Sequence, residues 1–187
     1  MKQILIFIIF NFYFFSFAQN LNLRNQINEG VELPQKLNKN DIAIIYEING
    51  GWSAYDYFSY YFVDENGNVK SYSEERPKSY LKNEKLKRTI KEIQLTEEKK
   101  NRIINLLKSK ELSELLKYKQ EDFKIKIINE PPPCMFSDLH GYKLTLIQNK
   151  KQNSYEYYAP REIYERCNQK NINKDVLKKY IEVLNLL

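Results

Sequence analysis

Hydrophobic and polar positions first alternate with a period of two at Asp41. Ile42, Ile44, Tyr46 and Ile48 alternate with Ala43, Ile45 and Glu47, which predicts a strand ending at the Asn49-Gly50-Gly51 turn. Trp52 to Val63 reads as a long aromatic strand, and Asp64 to Asn68 as the hairpin loop that returns the chain through Val69 to Ser73. Ser73 to Lys82 contains Pro77 and reads as a connection. Leu86 to Leu95 alternates at its end and is taken as a strand, because a clear helix start follows it. Thr96 is a good N-cap, Glu97 and Glu98 suit the positive end of a helix dipole, and Ile103, Ile104 and Leu107 repeat at helical spacing. Leu112, Leu115 and Leu116 continue the stripe after a break near Ser109.

The second half has the same outline. Phe123, Ile125 and Ile127 alternate with lysines as a half-buried strand, which Pro131-Pro132-Pro133 stops. Tyr142 to Gln148 and Ser154 to Ala159 form a hairpin across Asn149 to Asn153. A short helix runs from Pro160 through Cys167. A last helix begins at Lys174 after an Asn173 cap, with Val176, Leu177, Tyr180, Ile181 and Leu184 on one face. The expected fold is α+β: a mainly antiparallel sheet with helices packed on one face, strands then helix in each half.

The first 18 residues follow different rules. Lys2 is a positive start, Ile4 to Phe17 are uncharged and mostly apolar, and Ser16 and Ala18 place small residues before a cut at Gln19. That is the layout of a cleavable secretory signal, and its apolar run is shorter than the roughly 20 residues that span a bilayer core. The expected organisation is therefore a signal peptide over 1–18, a flexible leader over 19–40 and one domain over 41–187. The residue after the cut is Gln19, not Cys, so the reading is a soluble periplasmic or extracellular product with no lipid or transmembrane anchor.

Export changes how the cysteines are read. The 187 residues contain two, Cys134 and Cys167, and an even pair in an oxidising compartment is most simply a disulfide. The net charge of +6 would attract nucleic acid if it were clustered. Lysines are instead interleaved with glutamates, as in Glu97-Glu98-Lys99-Lys100, so a mixed solvated surface is expected and no nucleic-acid partner.

Candidate chemistry is sparse. The single histidine, His140, lies near Cys134 and Asp138, an order that would serve a thiolate, base and orienting acid. Those residues with Cys167 would also make four zinc ligands. A disulfide and a surface loop explain them more simply. The five glycines form no phosphate loop, dinucleotide fingerprint or nucleophile elbow, so no cofactor, metal or catalytic residue is assigned. The carboxylates Asp56, Asp64 and Glu65 need no glycosidase role to account for their turn and strand positions.

The aromatic strand is the other candidate. Tyr55 and Tyr57 share a face with Tyr61, whereas Phe58, Tyr60 and Phe62 share the opposite one. Sheet packing accounts for much of this. An exposed part, Trp52, Tyr55 and Tyr57, would anchor a protein or stack on sugar rings.

In its phenylalanine-rich start ending Phe17-Ala18-Gln19 and its Asn/Lys/Ile/Tyr-rich body, the chain resembles small exported proteins of Bacteroidota-type bacteria. The resemblance is one of style and carries no functional residue. The expected function is non-enzymatic binding of a macromolecule, a protein first, as in an immunity-type periplasmic protein. The alternatives are a carbohydrate- or envelope-binding module on the aromatic strand, and a small hydrolase using His140 and Asp138.

Overall fold

A computed structural model describes residues 19–27, 31–81, 85–129, 131–132 and 134–187; the expected signal peptide lies outside them. Seven strands form one antiparallel sheet: β1 (Asn25–Gln26), β2 (Ile42–Gly50), β3 (Tyr55–Val63), β4 (Val69–Pro77), β5 (Thr89–Ile93), β6 (His140–Gln148) and β7 (Lys151–Tyr158). Their spatial order is β1-β7-β6-β2-β3-β4-β5. Four helices, α1 (Glu97–Lys108), α2 (Lys110–Leu115), α3 (Pro160–Arg166) and α4 (Lys174–Leu186), complete the α+β fold.

Register decides which side chains share a face. Ile44 pairs with Tyr61 and Leu146, and those three point toward the helices with Ile42, Leu144 and Tyr155. Ile103, Leu106, Leu112, Leu115, Val176 and Val183 supply the helical side of this core. Its tyrosines are buried with their hydroxyls satisfied: Tyr180 donates to the Tyr142 carbonyl at 2.7 Å, and Tyr155 lies 3.1 Å from the Tyr118 carbonyl. Ser109 both ends α1 and caps α2, its hydroxyl accepting from the Leu112 N–H, so the expected break is a change of helix axis at a serine.

The opposite face holds a second, smaller core of Ala43, Ile45, Phe58, Tyr60, Phe62 and Ile147. No helix covers it. The cover is the segment expected to be a flexible leader: Ile27, Val31, Leu33 and Leu37 pack there. The same segment starts on the helical side, where Leu23 is 4% exposed and Arg24 donates to the Leu116 and Lys117 carbonyls that end α2. Between the two it pairs with the sheet edge as β1. The described residues among 19–40 therefore form a strap around the β7 edge. Their apolar side chains show no period because they anchor separately on two faces.

Other details also differ from the expected elements. β3 starts at Tyr55, because Gly50 and Gly51 take positive φ and leave Trp52 in the turn. β4 continues to Pro77, since a proline is tolerated at a strand end. Residues 123–127 do not join the sheet. Gln120–Phe123 is a single 3₁₀ turn, Phe123 is buried, and Lys124 bridges Ile172. The β6–β7 hairpin is tighter than expected, a two-residue turn with Asn149 and Lys150 both at positive φ.

Candidate interaction surface

One end of the sheet gathers the C-terminal ends of β2, β4 and β7 with the N-terminal ends of β3 and β6. The β2–β3 turn there is held from three sides. The Gly51 N–H donates to the Leu139 carbonyl at 3.2 Å. The Lys78 ammonium, in a residue only 5% exposed, donates to the carbonyls of Gly50 (2.9 Å) and Gly51 (3.2 Å), and its own N–H donates to Ala54. The His140 ring lies so close to Gly51 that a Cβ there would sit 2.6 Å from its Cε1. The next residue, Trp52, is 87% exposed.

Other exposed apolar groups stand at the start of β3 and on the neighbouring loops. Tyr57 is part-exposed, with its hydroxyl 3.0 Å from that of Ser53, and Tyr55 is half-buried. Tyr80 follows the Lys78 anchor and is exposed, as is Met135. Tyr158 fixes the loop before β6, accepting from the Leu139 N–H and donating to the Phe136 carbonyl. A disulfide joins Cys134 in that loop to Cys167 at the end of α3, with Cα atoms 6.2 Å apart.

The aromatic strand is thus divided along its length. Tyr60, Tyr61 and Phe62 are core on the two faces, and only its start, with Trp52 before it, reaches solvent. Inside this end Tyr46 stacks on Tyr142 with ring centroids 6.2 Å apart. Burial, and then the Tyr142 hydroxyl, push the Tyr46 phenol up to about 12. On the opposite face Glu47, Lys143 and Glu156 lie in one cross-strand row. Burial raises the Glu47 carboxyl, opposed by the Asn49 amide and Lys143 and reinforced by Glu156 and Asp56. The Asn49 side chain fills the space a Cβ on Gly141 would need, so a larger residue where β6 begins would have to displace the Asn49 amide.

The residues read as a thiolate site are not assembled as one. Cys134 has no free thiol, Asp138 sits in a bend at positive φ, and His140 packs on the Gly51 turn. Among the described residues no three His, Cys, Asp or Glu side chains are grouped to hold a metal ion. None of those residues lies in a helix long and apolar enough to cross a membrane. Lys78, Tyr80 and Met135 were not marked by the sequence. They come from two separate segments with no shared pattern, and only the strand ends bring those segments to one end of the sheet. No protein-family model matches the chain, and no curated protein matches it.

Proposed function

We propose that this is an exported binding protein that holds a macromolecular partner, a protein first, on the aromatic end of its sheet. One observation carries the reading: Trp52 stands almost fully in solvent on a turn pinned by a buried lysine and a packed histidine ring. An exposed tryptophan contributes little to folding, whereas a preordered one is the side chain most used as an interface anchor. Tyr57 at the start of β3 and Tyr80 and Met135 on neighbouring loops supply apolar surface, with adaptable shape at the methionine. The disulfide supports the export reading, because such a bond persists in an oxidising compartment. Cleavage after Ala18 would leave the strap whole. An immunity-type role against an envelope-acting toxin is the finer form of the proposal.

The test places a photo-crosslinking amino acid at position 52 in the native host. A discrete adduct with one envelope protein is expected, and purified Trp52→Ala protein should lose that partner while melting at the wild-type temperature. A polysaccharide that quenches Trp52 fluorescence, the chain's one tryptophan, would move the reading to a carbohydrate module. Loss of biological effect in a folded His140→Ala variant that still captures the partner would overturn binding as the function.

A further inference from the structure

At the opposite end of the sheet from Trp52, the strap and the β6–β7 turn enclose a cavity of about 670 Å³, within the range of small-molecule sites. Its apolar wall is Ile27, Leu33 and Leu37, each packed on the second core by one side and left half-exposed on the other. Its polar rim is formed by residues 38–40 of the strap and by the Asn149-Lys150 turn. One backbone and two side-chain hydrogen bonds hold the rim: the Ile27 N–H donates to the Lys150 carbonyl, the Asn40 N–H to Asn149 Oδ1, and Gln148 Nε2 to the Asn40 carbonyl. The two walls are therefore joined to each other and to the strand ends.

The lining restricts the ligand. Among the described residues that line it there is no aromatic ring to stack on a sugar or a base. Among the same residues Lys39 and Lys150 are the charged groups; the adjacent Asp41 carboxylate is buried and accepts from the Asn38 N–H. An aliphatic wall under a rim of two ammonium groups and three asparagines fits an alkyl chain ending in an anionic, hydrogen-bond-accepting head. We propose that the cavity binds a free single-chain carboxylate, with the chain against Ile27, Leu33 and Leu37 and the head between Lys39 and Lys150. This site is separate from the aromatic end, and neither proposal depends on the other.

Calorimetric titration of the mature chain with dodecanoate, below its micelle concentration, tests this. Saturable one-to-one binding is expected, severalfold tighter than that of dodecyltrimethylammonium, which has the same chain with a cationic head. The Lys39→Gln, Lys150→Asn double variant removes both rim charges, and asparagine tolerates the positive φ at position 150. It should melt like wild type and lose the preference for the carboxylate. Leu37→Asn makes the alkyl wall polar and should weaken binding of both amphiphiles severalfold. No saturable heat with dodecanoate, equal affinity for the cationic amphiphile, or an unchanged preference in the lysine variant would each overturn the proposal. So would binding only to phosphatidylglycerol vesicles, which would mark a membrane-facing surface instead.

Discussion

Glu74 shows most directly how single side chains hold this fold. Its side chain is fully buried, and it accepts from Tyr60 Oη, Arg76 Nε and Arg88 Nε, each at 2.7 Å. Arg76 lies over the Phe58 ring, and Arg88 reaches on to Glu32 of the strap. Burial alone would raise the carboxyl, but hydrogen bonds from Arg76, Arg88 and Tyr60 outweigh it and bring it from 4.5 to about 2. The folded state therefore binds this proton more weakly than the unfolded chain. The stabilisation is full above pH 4.5 and is lost as the pH falls from there through about 2. Glu74→Gln should melt at lower temperature at neutral pH and show a shallower acid limb in that window. Removing one partner of a fully buried pair costs roughly 3–5 kcal/mol; both arginines reach solvent, so about 2–3 kcal/mol is expected here. A wild-type acid limb in the variant would show that Glu74 is not the group responsible.

Among the elements, the loop before β6 depends most on a covalent link. It leaves the proline run, carries exposed Met135 and returns to the sheet at His140, with Tyr158 as its main polar anchor. The Cys134–Cys167 bond ties it to the end of α3 across a sequence separation of 33. By the chain-entropy model a loop of that size is worth roughly 3–4 kcal/mol. Reduction should lower the melting temperature markedly, release no metal and leave the helical circular dichroism in place at low temperature. Two titratable thiols in protein taken from the native envelope would contradict the bond. The helices rely on local chemistry instead: Thr96, Ser109 and Asn173 each accept from an N–H in the first turn, at Lys99, Leu112 and Val176.

For the molecule as a whole, the sheet needs cover on both faces, and helices supply only one. The strap supplies the other and crosses the β7 edge, where β1 also occupies hydrogen-bonding groups that would otherwise be open to another chain. Removing residues 19–37 should expose Ala43, Ile45, Tyr60, Phe62 and Ile147. The expected result is dye-binding apolar surface and a broad, weakly cooperative melt. Leu23→Ala isolates the helical-side anchor and should cost about 2–5 kcal/mol, as for a buried leucine elsewhere. A truncated chain melting as sharply as the full one would mean that the strap only decorates a finished domain.

Periodicity and capping residues by themselves determined most of the elements. The alternation in β2, the Asp64–Asn68 loop and the Thr96 and Asn173 caps are local signals, and each works through neighbours in the chain; the disulfide, across a separation of 33, was legible because the chain has only two cysteines. The same rules assigned the two faces of β3 correctly, since side chains alternate in any strand. What no local rule contains is how distant segments meet. Residues 123–127 alternate like a strand but are placed against 171–173, where bonds to Asn171 and Asn173 take the place of a sheet ladder. The strap has no period because its anchors serve different faces. Whether an aromatic in β3 is core or surface depended on how far the helices and the strap reach along the strand. The Trp52 turn depends on Lys78 and His140, 26 and 88 residues further on, which meet it only because antiparallel pairing brings those strand ends together.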